Sequence, residues 1–309
     1  MKPSKMTRAT TFVTVAALGV FASACSSSSK TASPDVTTAT TTTLPAPAAV
    51  TVTATDYAFS GVPATLEAGL INFKFVNKGS INHELAFLKV TNNTDTEAAF
   101  TSLAKIFNGE PFPANFLGAN GVHDTKPGTT SEAQLNLTPG QYIALCSDSG
   151  IAGTKKDGKP HFSRGMFKKL TVTGTGGDTP PAEGSVLTAH DYSFDISQLK
   201  AGPQTISFVN KGPTQWHFGD IQVFPKGTTV AQGQAAIVKL LASQGPPPAG
   251  VAQPEEVGAS NVASPGLGNT FTATLEKGRT YVVFCFISDQ KGGPPHAISH
   301  HMYKVFTIS

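Results

Sequence analysis

Beyond residue 47, apolar residues recur at every second position in short runs that Gly and Pro break up. Ile71, Phe73 and Phe75 alternate with Asn72 and Lys74, which predicts a half-buried strand. Tyr142, Ala144 and Cys146 fall on one strand face, and so do Tyr281, Val283 and Cys285. Two stretches depart from this period. Thr94 to Glu97 has the form of a capping box, and Phe100, Leu103 and Phe107 follow at helical spacing before Gly109. Val230, Ile237, Leu240 and Leu241 before Gly245 predict a second helix. The expectation is an all-β fold of two Greek-key β-sandwiches, each with a short helical insert.

The pattern occurs twice because the sequence does. ATDYAF (54–59) returns as AHDYSF (189–194), and LEAG (66–69) as LKAG (199–202). FVNKG stands identically at 75–79 and 208–212, and a histidine follows each, His83 and His217. Pro127-Gly128 and Pro265-Gly266 precede Gly140 and Gly278, which open the strands that run to Cys146 and Cys285. Each copy closes on Met, an aromatic residue and Lys, at 166–168 and 302–304. The expected boundaries are 48–174 and 185–309, with 175–184 as a linker.

The N-terminus reads as an export signal, residues 1–24. Lys2, Lys5 and Arg8 precede an apolar run at 11–22, too short to span a bilayer as a permanent helix. Ala22-Ser23-Ala24-Cys25 resembles the lipobox of bacterial lipoproteins, although Ala22 stands where that motif usually has Leu. The resemblance implies a lipid on Cys25 and an anchor on the extracytoplasmic face of the cell membrane, the alternative being plain cleavage after Ala24. Residues 25–47, mostly Ser, Thr, Ala and Pro, lack the apolar surface to offset chain entropy and are expected to be a tether. The chain has 23 Lys and Arg against 20 Asp and Glu, and three of the basic residues lie in 1–24. What remains is near neutral and has no basic stripe, so no nucleic-acid partner is expected.

Each copy also carries a soft donor set in the same order. The first has His83, Cys146, His161 and Met166, and the second His217, Cys285, His296 and Met302. Two imidazoles, a thiolate and a weak axial thioether are the donors of type 1 copper. Asn82-His83, then Pro139-Gly140-Gln141-Tyr142 to Cys146, then His161 and Gly165-Met166 resemble the ligand motifs of the cupredoxins, such as plastocyanin and azurin. That resemblance implies tandem cupredoxin-like sandwiches holding one or two copper ions, with His83, Cys146 and His161 equatorial and Met166 axial. It also implies electron transfer with an unidentified redox protein. Two departures stand out. Fourteen residues separate Cys146 from His161 and ten separate Cys285 from His296, a gap more like that of copper nitrite reductases. His301, beside His300, occupies the place of Gly165, so either histidine is an alternative ligand in the second copy.

Other readings stay open at this point. Cys146 and Cys285 are also expected of buried thiols, or of a disulfide in an oxidising compartment. The chain could deliver copper without a redox role, or serve as a metal-free binding module at the cell surface. Trp216 reads as a packing residue or a shield, and His123 and His190 read as surface residues. Leu145, Ser147, Phe284 and Phe286 flank the cysteines, with no adjoining histidine and no His-x-His pair to wire a second copper centre. On that ground no enzyme activity is expected.

Overall fold

The computed structural model describes residues 48–106, 108–149, 159–176, 184–243 and 247–309. The export signal, Cys25 and the tether lie outside these residues. In the first half the strands are β1 (Ala48–Thr55), β2 (Ala58–Ser60), β3 (Thr65–Glu67), β4 (Gly69–Asn77) and β5 (His83–Val90). Helix α1 (Thr96–Ile106) comes next, followed by β6 (Phe116–Thr125), β7 (Thr130–Leu137), β8 (Gly140–Leu145) and β9 (Phe167–Thr173). The second half begins with β10 (Ser185–His190), β11 (Ser193–Ser197), β12 (Gly202–Asn210) and β13 (Asp220–Val223). It continues through α2 (Val230–Ala242), β14 (Glu255–Ala259), β15 (Gly268–Leu275), β16 (Thr280–Phe284), α3 (His296–Ser299) and β17 (Tyr303–Thr307).

Alternation drives the layering. On β4, Ile71, Phe73 and Phe75 point inward and meet Leu85 and Phe87 of β5, Tyr142 and Ala144 of β8, and Cys146. The second core is built alike, with Ile206 and Phe208 against Ile221, Tyr281, Val283 and Cys285. Each core lies between two sheets. One pair of faces belongs to β3-β9-β8-β5-β6 and to β14-β13-β16-β17. The opposing faces belong to a single eight-stranded sheet, β11-β10-β12-β15-β7-β4-β1-β2, that runs through both halves. Strands β7 and β15 join in it at Asn269 and Leu135. Two separate sandwiches would have left β7 and β15 as open edges, and pairing them satisfies backbone groups that an edge exposes. The described residues from 48 to 309 accordingly form one compact unit.

Helix α1 departs from the expected capping box. It is capped by Asp95, whose Oδ1 accepts from the amides of Glu97 and Ala98, both at 3.1 Å. The capping box occurs instead at α2, between Thr229 and Gln232. Two short helical turns, a 3-10 turn at His161–Arg164 and α3, were not legible as helices, being four residues each. Both carry the second histidine of a donor set. Among the described residues, no helix is long and apolar enough to cross a membrane.

Candidate metal centres

Strand β8 pairs antiparallel with both β5 and β9, so the start of β5, the end of β8 and the start of β9 meet at one end of the sandwich. His83 opens β5, Cys146 follows β8, and Met166 precedes β9. The 3-10 turn then closes over Cys146: Phe162 N donates to Cys146 O at 2.9 Å, and Met166 N to His161 O at 3.2 Å. The second half repeats the weave. Ala297 N donates to Cys285 O at 2.9 Å, and Met302 N to His296 O at 3.1 Å. His217 sits just ahead of β13 in a bridge with Ala263.

This brings together six of the predicted donors in two groups of three, His83, Cys146 and His161, and His217, Cys285 and His296. All six are buried. Cys146 Sγ lies 3.8 Å from His83 Nδ1 and 3.3 Å from His161 Nδ1, and the two nitrogens are 3.2 Å apart. The point equidistant from these three atoms is about 2.0 Å from each, the length of a metal–imidazole bond. Cys285 Sγ lies 3.7 Å from both His217 Nδ1 and His296 Nδ1. Met166 and Met302 are fully buried in the same cores as the two cysteines. Two imidazoles and one thiolate around a single point fit copper.

Burial sets the charge states. It pushes the Cys146 thiol well above its ordinary range, with the Glu84 carboxylate adding to the effect. It pushes the Cys285 thiol up to about 12. Burial, reinforced by His296, lowers His217 to about 4. Burial also lowers His161 and His296. Neutral imidazoles are ready donors, whereas each thiol must release its proton to solvent as a cation takes the sulfur.

The remaining histidines sit elsewhere. His300 stacks on Tyr192 with ring centroids 3.6 Å apart, and its Nε2 lies 3.1 Å from Asp289. His301 is exposed, edge-on to Tyr303. Neither belongs to a donor group. His190 pairs with Asp195 at 3.1 Å. His123 is not the free surface residue expected of an unrepeated histidine. It reaches from β6 to Glu256 of β14 at 3.3 Å, and although burial opposes the charge, this pairing raises it to about 9. Trp216 is buried against first-half residues and stands edge-on to Phe112 at 4.8 Å, so it is a packing residue between the halves. Both cysteines are free thiols, which removes the disulfide reading. Sequence reasoning missed three carboxylates at the histidines' outer nitrogens, Asp56 at His83, Asp191 at His217 and Asp289 at His296. The repeated Asp-Tyr pair was the available signal for the first two.

No protein-family model matches the sequence, and no curated protein is similar to it. Solved structures are. An auracyanin from Roseiflexus castenholzii is 21% identical and covers 42% of this chain and 100% of its own, with a TM-score of 0.30. The fold itself is cupredoxin-like in its packed β-sheets, each half carrying a His/Cys/His group at one end of its strands. A blue copper oxidase from Nitrosomonas europaea is 13% identical over 81% of this chain and 85% of its own, TM-score 0.24. The copper nitrite reductase of the same organism is 16% identical over 85% of this chain and 94% of its own, TM-score 0.24. The expectation of no enzyme activity is withdrawn, because the described residues hold two buried His/Cys/His groups that could each bind a redox metal. The missing histidine beside each cysteine excludes one wiring, not catalysis.

Proposed function

We propose that this chain is an exported, membrane-tethered cupredoxin that passes single electrons through one type 1 copper in each half. The observation that carries the reading is the pair of buried His/Cys/His groups, each on a strand-end scaffold with a buried methionine. Copper, when bound, supplies a one-electron couple. The residues do the rest. His83, Cys146 and His161, with Met166, hold the first ion, and His217, Cys285 and His296, with Met302, hold the second. Backbone amides steady the sulfurs, with Glu84 N donating to Cys146 Sγ at 3.4 Å and Phe218 N serving Cys285. Strand pairing on both sides fixes the donors, so little rearrangement accompanies a change of oxidation state. A lipid on Cys25 and the tether at 25–47 would keep the folded part at the outer membrane face, where a redox protein could dock.

The test is copper content and visible absorption of the purified chain. Two coppers per chain and an intense thiolate-to-copper band that bleaches reversibly with reductant are expected. Cys146→Ser and Cys285→Ser should each remove one copper and part of the band. A colourless protein with no bound copper would overturn the reading. The same samples are assayed with reductant for consumption of oxygen or nitrite, and turnover would make these centres the electron entry of an enzyme.

A further inference from the structure

Two repeated motifs contribute no metal donor: Asp-Tyr at 56–57 and 191–192, and FVNKG at 75–79 and 208–212. The fold brings each pair of motifs against its own histidines. Asp56 Oδ1 lies 3.3 Å from His83 Nε2, and Asp191 Oδ1 lies 3.3 Å from His217 Nε2. Each carboxylate is pinned by the loop that leads to the same histidine. Ser80 N donates to Asp56 Oδ1 at 2.8 Å, and Thr214 Oγ1 donates to Asp191 Oδ2 at 2.7 Å.

The asparagine of FVNKG folds that loop. Asn77 Nδ2 donates to Ile81 O and Thr125 O, and Asn77 Oδ1 accepts from Gly79 N. Asn210 does the same with Gln215 O, Ala263 O and Gly212 N. The motif's glycine then leaves room for the approach. A Cβ on Gly79 would stand 2.4 Å from Asp56 Oδ1 and 2.8 Å from His83 Nε2, and one on Gly212 would stand 2.2 Å from Asp191 Oδ1.

The tyrosines cover the other histidine of each group. Tyr57 is edge-on to His161 with centroids 5.2 Å apart, and Tyr192 is edge-on to His296 at 5.3 Å. Both have left-handed backbones, φ 67° and 71°, at a cost of about 1–2 kcal/mol for a residue with a Cβ. The same strain at the same place in both halves marks a position held for use.

We propose that Asp56-Tyr57 and Asp191-Tyr192 are positioning residues of the two metal centres. The carboxylate fixes the first histidine with its proton on Nε2, and the tyrosine ring walls in the second histidine. A histidine that ligates through Nδ1 must carry its remaining proton on Nε2, and an acceptor there sets both tautomer and ring plane. The carboxylate's charge also favours the more positive, oxidised ion. The proposal rests on the copper reading above, yet its first test needs no metal.

In the metal-free protein, nitrogen NMR of the histidine rings should show His83 and His217 with the proton on Nε2. Asp56→Ala should return His83 to a tautomer mixture and leave His217 unchanged. Finding the proton on Nδ1 in the unaltered protein would overturn the proposal whatever copper does. With copper as the probe, Asp56→Ala should weaken the first centre by roughly 10–100-fold in a chelator competition and spare the second. Asp56→Asn, which keeps an acceptor oxygen, should hold affinity within a few-fold but raise the first centre's potential. Tyr57→Gly, which suits the backbone, should speed chelator stripping of that centre alone. A folded Asp56→Ala variant with native copper affinity, potential and tautomer would sink the idea. An unaltered protein that shows the Nε2 proton but takes up no copper would instead refute the copper reading alone.

Discussion

His301 has a backbone φ of 53°, and Gly165, at the corresponding place before the methionine, has a φ of 96°. The turn under the metal site asks for a left-handed residue, and glycine meets that demand without a Cβ penalty. His301→Gly should therefore stabilise the protein by roughly 0.5–1 kcal/mol in urea denaturation and leave the visible band unchanged. A changed band would mean that the imidazole touches the metal after all. The buried donors make a second prediction. His217 is held at about 4, below the usual histidine value of 6.5, so the folded state resists its protonation. Relative to a His217→Asn variant, the metal-free protein should hold its stability margin above pH 6.5 and lose on the order of 3 kcal/mol of that margin as pH falls towards 4. Asp56, Asp191 and Asp289, whose pKa values are lowered, release their contribution only below that window. Melting temperatures of both metal-free proteins between pH 7 and 4 check this, and a difference that does not change with pH would contradict it. The grouping of two histidines around each cysteine was legible, because the order His, Cys, His and Met occurs twice. The carboxylates behind them were harder to see, because Asp56 and Asp191 stand 27 and 26 residues from their histidines and only the repeated Asp-Tyr pair marks them.

At the scale of elements, alternation was a sufficient guide to the strands and a poor one to helix ends. Ile71, Phe73 and Phe75 are buried as the period of two required. Thr94, however, stands one residue before the cap, and its hydroxyl turns back to Thr91 O at 2.7 Å. Several Thr and Asp residues in a row offer competing caps, and only the backbone path decides among them. Asp95→Ala should cost about 1 kcal/mol by denaturant titration, whereas Thr94→Ala should cost less. Equal losses would return the cap to Thr94. The two four-residue turns at His161 and His296 were hidden for a different reason. Their shape comes from tertiary hydrogen bonds to the cysteine strands, not from any periodicity of their own.

The whole molecule is where the sequence said least, since a repeat describes each copy and is silent about how the copies meet. They meet through asparagines. Asn120 Nδ2 donates to Asn136 O at 2.9 Å and to Gly268 O at 3.0 Å. Asn269 Nδ2 donates to Asn120 Oδ1 and Asn261 O, both at 3.0 Å. Asn261 Nδ2 then reaches Val122 O at 3.1 Å and Glu84 Oε2 at 2.8 Å. Glu84 adjoins His83, and its other oxygen accepts from the amide and hydroxyl of Ser147, next to Cys146. One second-half side chain thus steadies the residues beside two first-half donors. Asn261→Ala would strip a donor from Glu84 and leave Val122 O without this partner, a loss of about 1–3 kcal/mol. Because the eight-stranded sheet ties the halves together, the loss should lower a single cooperative transition and not split it in two. The same change should shift the copper band that Cys146→Ser removes and leave the band belonging to Cys285 in place. Two separate melting steps, or an effect confined to the Cys285 band, would show that the asparagine bridge does not couple the second half to the first centre.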